Sequence, residues 1–427
     1  VISELLAHTD LTVDWIEFQN LTPNPIDLGG LYLSDSYSNP LRYFIPANTI
    51  VAGNSFIALS TTNFGFAFSE HGESAVLTQT SGTNVLRFID SVDFPASDDE
   101  ISFGRYTRSD GVTDFTELRA NTEGTNNALP RMGPLVASEI MYKPATNLVE
   151  FVELVNISPT NVPLYDPNFP TNTWQLNGGI TFAFPTNQQI ASGQAIIVCA
   201  TNAATFRAEY NVDPSVPVYG PYSGALNNSG DEVDIDWPGV PETNGFVPYY
   251  RADHVRYEAD SPWATNAHSG GISLDRVTLE GYGNDPINWQ SSAVTNGTPG
   301  TFVGNRAPII NVIGNTTVYE GDTVLLAAQA TDPDQPWQTL TFAGGNLPNN
   351  STFNTNDGTF IWPTVETNGP GVYNLQFIAA DNGVHQMIVT QIVAVTVLES
   401  NLPPWLQSVT NILYPAQIPF TLDLVAT

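Results

Sequence analysis

The chain has 427 residues and a formal net charge of −31, from 43 Asp and Glu against 12 Lys and Arg. This balance argues against nucleic acids as partners, because cationic side chains bind their phosphates. It also argues against docking on anionic membranes. Charged residues make up 13% of the chain and aromatic residues 11%, so we predict folded domains rather than an acidic disordered chain.

Short apolar and β-branched runs, separated by clusters of Asn, Gly, Pro, Asp and Ser, predict β-strands along the whole chain. This pattern predicts an all-β fold class, a tandem array of Ig-like β-sandwiches. The best helix candidate is the segment 203–210, which would form about two turns. The single cysteine, Cys199, lies in the apolar run 195–200, so we predict a buried structural thiol and no internal disulfide.

The sequence also repeats itself on the scale of a domain. Four segments of the first 105 residues recur in the same order, which indicates two copies of one fold. They are residues 3–5 at 138–140, 14–20 at 150–156, 53–59 at 193–199, and 101–105 at 272–276. The second copy carries insertions around residues 165–173 and 238–248. We therefore predict one domain at 1–130 and a second at 133–304.

A further repeat follows at an offset of 96 residues. It predicts a third domain at 305–399 and the truncated start of another Ig-like repeat at 400–427, so we expect the chain to be part of a longer array. The matching residues are Asn305, Pro308, Asn315, Ala330 and Thr331 with Asn401, Pro404, Asn411, Ala426 and Thr427.

The second copy contains several motifs in a fixed order. They are residues 138–144, 150–156, 226–233, 271–276, 284–289 and Thr298-Pro299-Gly300. With these motifs the segment resembles the lamin-tail domain, an Ig-like β-sandwich. The first copy resembles the same domain but lacks the Asn-Trp motif, and it shows Glu123-Gly124-Thr125 in place of the Thr-Pro-Gly ending. The resemblance implies a non-catalytic domain of secreted bacterial multidomain proteins, which often carry catalytic domains elsewhere in the chain.

The third segment has its own set of motifs. They are Tyr319-Glu320-Gly321-Asp322, residues 330–334, 358–363 and 380–383. With them the segment resembles the cadherin-like or Ig-like repeats of large bacterial surface proteins. The resemblance implies a β-sandwich and carries little information about function.

Four acidic residues of the third segment are candidate calcium ligands: Glu320, Asp332, Asp334 and Asp381. Calcium takes about six to eight oxygen ligands, which carboxylates at strand ends can supply. The alternative is that these residues only form turns, and the acidic linker that joins cadherin repeats is missing at 399–404. Calcium is the one cofactor that the sequence raises.

Two tryptophans lie in loop-like contexts, Trp263 in the segment 260–263 and Trp337 in the segment 334–337. Exposed rings of this kind can stack on sugars, so both are candidate ligand-binding residues. The alternative is packing between adjacent domains. Three other tryptophans fall at motif positions and are predicted core residues: Trp15, Trp289 and Trp362.

Glutamates recur in pairs, Glu4 with Glu17 and Glu139 with Glu153. Glycoside hydrolysis uses paired carboxylates, but both copies carry these residues within the repeated pattern, which favours a structural role. The five histidines show none of the spacings of metalloenzyme motifs. The sequence therefore predicts no catalytic residues and no enzyme activity.

Three more carboxylates, those of Glu232, Asp234 and Asp236, alternate along one predicted strand. Alternation places them on one face of that strand. Like charges on one face are best solvated, so we predict an edge strand whose charge opposes sheet association.

These observations predict a non-catalytic structural or adhesive region of a large secreted or cell-surface bacterial protein. It would act as a spacer or protein-interaction array and would self-assemble in one variant of this hypothesis. The predicted partners are other proteins, copies of the chain, or polysaccharide, without nucleic acid or membrane insertion. The predicted location is extracellular or the cell surface. The alternative is a carbohydrate-binding accessory region of an extracellular enzyme whose catalytic domain lies outside this segment.

Overall fold

A computed structural model describes residues 1–301, 307–332, 339–382, 386–400, 419 and 421–423 of the chain. The chain divides into two compact units, unit 1 (Val1–Arg306) and unit 2 (Ala307–Thr427). The described residues are built mainly of β-strands arranged in successive two-sheet sandwiches. The all-β prediction is therefore confirmed.

The first sandwich of unit 1 has eleven described strands and one short helix, α1 (Thr61–Phe64). The strands are β1 (Ile2–Leu6), β2 (Trp15–Gln19), β3 (Ile26–Asp27), β4 (Tyr32–Ser34), β5 (Tyr43–Phe44), β6 (Ile50–Val51), β7 (Phe56–Ser60), β8 (Glu73–Ser81), β9 (Asn84–Phe94), β10 (Phe103–Thr107) and β11 (Thr113–Glu117). One sheet has the order β11-β10-β1-β2-β7 and the other β5-β4-β8-β9. Alternate apolar residues of both sheets, such as Leu5, Phe18 and Leu77, form the core between them.

The second sandwich of unit 1 adds thirteen described strands. They are β12 (Leu135–Met141), β13 (Phe151–Asn156), β14 (Val162–Pro163), β15 (Gln175–Gly178), β16 (Ile180–Ala183), β17 (Gln189–Ile190), β18 (Ala195–Cys199), β19 (Val218–Tyr219), β20 (Ser223–Gly224), β21 (Gly230–Pro238), β22 (Tyr249–Glu258), β23 (Leu274–Arg276) and β24 (Trp289–Ser291). Its helices are α2 (Ala203–Tyr210) and two 3₁₀ turns, Thr265–Ser269 and Pro286–Asn288.

The sheets of the second sandwich have the orders β19-β18-β13-β12-β23-β24 and β20-β16-β15-β21-β22. Five strands of the first order repeat the order of the first sandwich, with β12 in the place of β1. Both β1 and β12 shift register just before the glutamate of the repeat, between Ile2 and Glu4 and between Ala137 and Glu139. The sequence repeat therefore corresponds to a repeated sheet with a repeated bulge.

Helix α2 has the bounds that the sequence predicted. Asn202 caps its start by accepting a hydrogen bond from the Thr205 N–H, and Phe206 packs beside Phe151. Cys199 is buried at the end of β18 beneath this helix, and its thiol contacts a backbone carbonyl. Burial raises the pKa of the thiol, as expected of a structural cysteine.

The acidic strand β21 is flanked by β15 on one side and by β22 on the other. The prediction of an edge strand is therefore wrong. Its carboxylates have partners instead: Asp234 contacts His254 (2.6 Å) and Arg251 (3.2 Å), and Asp236 accepts a hydrogen bond from Asn177. The alternation of acidic residues along a strand predicts the face on which they lie. It does not predict which strands pair on either side of that strand.

Unit 2 contains a third sandwich of nine described strands. They are β25 (Ile309–Ile310), β26 (Thr316–Tyr319), β27 (Thr323–Ala327), β28 (Ala330–Thr331), β29 (Thr341–Gly345), β30 (Thr352–Phe353), β31 (Thr359–Pro363), β32 (Gly371–Ala380) and β33 (Ile388–Leu398), with a 3₁₀ turn at Glu366–Asn368. The two main sheets have the orders β26-β33-β32-β29 and β27-β31-β30. Trp362 lies at the centre of their core, and Trp15 and Trp289 are buried in unit 1, so all three core predictions are confirmed. Residues 401–418, which include most of the predicted further repeat, lie outside the described residues.

Candidate functional site

The paired glutamates of the second sandwich hold the segment that follows its last strand. Glu139 accepts hydrogen bonds from the hydroxyl of Ser273 (2.6 Å) and the N–H of Thr298 (2.9 Å). Glu153 accepts one from the N–H of Gly300 (2.6 Å). The Thr-Pro-Gly ending is therefore fixed to the sheet by two buried carboxylates.

The first sandwich uses the same arrangement with a different sequence. Glu4 accepts hydrogen bonds from the hydroxyl of Ser102 (2.6 Å) and the N–H of Thr122 (2.9 Å), and Glu17 accepts one from the N–H of Gly124. The segment Thr122-Glu123-Gly124 thus takes the place of Thr-Pro-Gly. This segment begins one residue before Glu123-Gly124-Thr125, the ending that the sequence predicts, because no proline marks the turn.

Burial dominates the electrostatics of this carboxylate group. It raises the pKa of Glu153 to about 7 and that of Asp275 to about 6. Burial, together with the nearby charge of Glu153, also raises the pKa of Glu139. Glu139 and Glu153 are only 1–2% exposed, and their oxygens are engaged by the protein itself. This geometry serves the fold and leaves no access for a glycoside.

The two sandwiches of unit 1 dock on each other through a polar contact. Asp285, from the loop before β24, accepts hydrogen bonds from the N–H of Ser109 (3.0 Å) and the hydroxyl of Tyr106 (3.2 Å), and it also accepts one from the Ser109 hydroxyl. Asn284 beside it donates to Asp114 (2.8 Å). The Asn-Asp-Pro motif of the second sandwich therefore binds the β10–β11 hairpin of the first.

The two sandwiches also form a cleft of about 1070 Å³ between them, which we call the junction cleft. The first sandwich contributes only polar side chains, while the second contributes the Trp and Tyr rings, the prolines and two further carboxylates. The charged and ionisable lining residues are His8, Asp10, Glu70, His71, Asp98, Asp99, Asp166 and Glu242, and the aromatic ones are Tyr165, Trp174, Trp237 and Tyr250. Six of these side chains are carboxylates, and no lysine or arginine lines the described cleft.

A histidine–carboxylate contact joins the two sandwiches at the junction cleft. His71 Nε2 lies 3.0 Å from a carboxylate oxygen of Glu242, and its ring packs edge-on against Phe246. His8 Nε2 lies 3.4 Å from Glu70 on the same side. Ligand atoms of Glu70, His71 and Glu242 lie within 4.8 Å of one another, so these three residues could together contact a metal ion.

The calcium candidates of unit 2 do not form one group among the described residues. Glu320, Asp332 and Asp381 are all buried, but Glu320 lies within 4.8 Å of Glu366 and Glu399 instead. Glu320 accepts a hydrogen bond from the N–H of Ser400, and Asp381 accepts one from the N–H of Met387. The fourth candidate, Asp334, lies outside the described residues. Calcium binding stays a prediction.

Of the two candidate sugar-binding tryptophans, only Trp263 lies within the described residues. Trp263 is only 4% exposed and packs against Trp289, with 6.3 Å between the ring centroids. Its ring therefore faces the protein core, and we do not carry a sugar-stacking role for Trp263 forward. Trp337 lies outside the described residues. The aromatic side chains that line a cleft are others, and they come from segments far apart in the sequence.

One surface of the first sandwich is apolar and unpaired. Strand β9 is at the edge of its sheet, and within the described chain it pairs only with β8. Four of its side chains, Val85, Leu86, Phe88 and Ile89, are 39–60% exposed. An edge strand with exposed apolar residues is a surface on which another strand can add.

A search of the described helices finds none of the length and apolarity that crossing a membrane requires.

Comparison with known proteins finds a family-model match to one segment, in unit 2. Residues 307–398 match the family model described as "Putative Ig domain", so the Ig-like prediction for this segment is confirmed. No curated protein matches the chain. The lamin-tail resemblance of residues 1–304 stays a prediction.

Among solved structures the chain aligns with several β-proteins at low similarity. Drosophila N-cadherin EC1-3 has 6% identity, covering 90% of this chain and 92% of that one, with a TM-score of 0.21. The N-terminal eight Ig domains of Down Syndrome Cell Adhesion Molecule have 9% identity, covering 90% and 54%, with a TM-score of 0.17. A nucleoside hydrolase-related hypothetical protein from Saccharophagus degradans has 17% identity, covering 22% and 26%, with a TM-score of 0.19. TM-scores near 0.2 do not indicate a shared global fold, and the fold class rests on the sheets and the family match.

Proposed function

We propose that the chain is a non-catalytic structural and adhesive region of a large secreted or cell-surface protein. Its sandwiches act as a spacer and as a protein-interaction array, and its partner is a second copy of the same chain. The observation that carries this proposal is the free apolar edge of β9. The Ig-like match of residues 307–398 supports it, because Ig-like sandwiches commonly serve as structural modules.

The docking of the two sandwiches supports the spacer role. Asp285 is 2% exposed and accepts hydrogen bonds from three donors of the first sandwich. Opening the contact would exchange these hydrogen bonds to a charged group for bonds to water, at a net cost of about 1.5–3 kcal/mol each. We therefore expect the junction between the first two sandwiches to be rigid, so that β9 is held in a fixed orientation relative to the second sandwich.

Strand addition is the interaction mode that fits β9. Its unpaired backbone groups can hydrogen-bond to a second extended strand, and its apolar side chains can then be buried. Two copies related by a twofold axis can pair β9 with β9, since such a contact uses the same surface twice. Because these side chains are 39–60% exposed, burying one of them completely contributes about half of the value for a fully exposed side chain, or about 1 kcal/mol.

Homotypic bead aggregation tests the proposal. Beads coated with the whole chain are expected to aggregate, and the double substitution Leu86→Ser, Phe88→Ser is expected to slow aggregation about tenfold or more. Leu21→Ser is the matched control, because Leu21 is equally exposed but lies outside β9. Equal aggregation of the double variant and the wild type would contradict the proposal, and so would no aggregation at all.

A further inference from the structure

We propose that the junction cleft binds a neutral saccharide. Trp237 and Tyr250 provide the rings on which sugar units stack, Trp174 donates a hydrogen bond, and the carboxylates of the facing wall accept hydrogen bonds from sugar hydroxyls. This site is separate from the β9 edge and from the tryptophans that the sequence had marked. Its volume, about 1070 Å³, is slightly larger than the range of about 300–1,000 Å³ typical of ligand clefts.

The wall of the cleft is built by segments that the sandwich itself does not need. The insertions around residues 165–173 and 238–248 are absent from the first copy, which forms the same sheet order without them. Both insertions line the cleft, through Tyr165 and Glu242 among others. Additional segments that create a concave surface at the junction of two sandwiches indicate a binding site rather than a requirement of folding.

The aromatic side chains present rings and polar atoms to the cleft. Trp237 and Tyr250 face each other on β21 and β22, with ring centroids 5.3 Å apart, and both are partly exposed. Trp174 and Tyr165 also line the cleft, and Trp174 is 5% exposed. Trp and Tyr side chains combine an apolar ring with a polar N–H or O–H group, so they can offer a ligand both a ring face and a hydrogen bond.

The donor and acceptor balance selects the chemical class of the ligand. Six carboxylates line the cleft and no lysine or arginine does, so phosphates, uronates and sulfated glycans are repelled. A cation would suit the carboxylates but would offer no acceptor to the indole N–H of Trp174, which can only donate. A neutral polyhydroxyl ligand satisfies both conditions, because each hydroxyl both donates and accepts. The apolar faces of sugar rings also match the rings of Trp237 and Tyr250.

Calorimetric titration of the whole chain tests this assignment. The probes are neutral hexasaccharides of glucose, xylose, mannose and N-acetylglucosamine, with polygalacturonate as the anionic probe and spermine as the cationic one. At least one neutral hexasaccharide is expected to bind at micromolar to millimolar concentration. Trp237→Ala is expected to weaken that binding about tenfold because a stacking ring is lost. Tyr250→Phe is expected to weaken it a few-fold because the ring stays and only a hydrogen-bonding hydroxyl is lost.

Phe44→Ala is the matched control, because Phe44 is an exposed aromatic outside the cleft. If Trp237→Ala does not fold, as judged by circular dichroism, Tyr165→Ala on the insertion loop replaces it and is expected to weaken binding by the same order. Three results would overturn the assignment: no neutral hexasaccharide binds, the cleft variants bind as well as Phe44→Ala, or spermine or polygalacturonate binds more tightly than every neutral probe. Because none of these variants changes β9, bead aggregation separates this outcome from the adhesive proposal.

Discussion

Buried carboxylates hold the closing segments of both unit 1 sandwiches. Glutamate suits this role because its side chain reaches from a strand to the backbone N–H groups of the closing segment. A glutamate reaches from β1 or β12 to the backbone N–H of a threonine in the closing segment, and a second reaches from β2 or β13 to a glycine two residues on. The carboxylates satisfy donors that would otherwise be buried without partners. The same geometry explains why the pairs recur in sequence without being catalytic.

The sequence predicted this structural role because both copies carry Glu4, Glu17 and their counterparts in one order. It could not reveal the closing segment of the first sandwich. The hydrogen bonds there use backbone N–H groups of Thr122 and Gly124, and a backbone donor leaves little trace in side-chain identity. The proline of the second copy is a marker of the turn and not a part of the contact.

The substitution Glu153→Gln tests the charge state of this group. Burial holds the pKa of Glu153 at about 7 in the folded state, above its ordinary value of 4.5. Between these values the native state binds more protons than the unfolded state, so the stability that the protonated form provides is present below pH 4.5 and is lost as the pH rises through 7. We expect the free energy of unfolding of unit 1 to fall by about 3 kcal/mol from pH 5 to pH 8.

Urea denaturation at a series of pH values measures this slope. Glu153→Gln has no charge to lose and keeps a carbonyl for the Gly300 N–H, so its slope should be flatter by most of that amount. Glu258→Gln is the control, because Glu258 is exposed on β22 and should leave the slope unchanged. Equal slopes for wild type and Glu153→Gln would show that the buried carboxyl does not titrate in this range.

At the scale of elements, the sequence predicts features that depend on local residues better than it predicts the pairing of distant strands. Helix α2 has its predicted bounds because its cap, Asn202, and its buried Phe206 are local signals. The pairing of β21 between β15 and β22 is not local, and the edge prediction failed there. The junction cleft was missed for the same reason, since Trp174, Trp237 and Tyr165 come together only through tertiary structure.

The loop that carries Asp285 gives a prediction at this scale. Replacing Asp285 by Ala removes the acceptor for the Ser109 N–H and the Tyr106 hydroxyl, which should destabilise the contact between the sandwiches by about 2 kcal/mol or more. In differential scanning calorimetry we expect the variant to resolve the two sandwiches into separate transitions, while Asp285→Asn, which retains one acceptor oxygen, should have an intermediate effect.

The matched control for this loop is Asp213→Ala. Asp213 is exposed and is bonded only to its own turn and the neighbouring arginine, so its removal should leave the calorimetric profile intact. A wild-type profile for Asp285→Ala would mean that other contacts, such as the packing of Tyr106 on Tyr282, hold the sandwiches together.

For the molecule as a whole, the net charge of −31 is the dominant long-range term. Carboxylates are present in every sandwich, so their mutual repulsion opposes both the compact state and the association of copies. Monovalent salt screens that repulsion, since the Debye length falls from about 30 Å at 0.01 M to about 10 Å at 0.1 M. At low salt the same repulsion between copies of the chain opposes their association through the apolar edge of β9.

Melting temperatures measured in NaCl and in CaCl₂ can therefore distinguish charge screening from specific calcium binding. NaCl should raise the melting temperature of the whole chain by about 2–4 °C, which corresponds to about 1 kcal/mol.

If unit 2 binds calcium through Glu320, Asp332 or Asp381, CaCl₂ at equal ionic strength should raise the melting temperature further, because a ligand that binds the native state stabilises it. Asp332→Asn should abolish that extra increment, and Asp357→Asn, an exposed acid of the same unit, should not. Identical melting curves in NaCl and CaCl₂ would leave these acids as turn-forming residues, because screening alone does not distinguish the two salts at equal ionic strength.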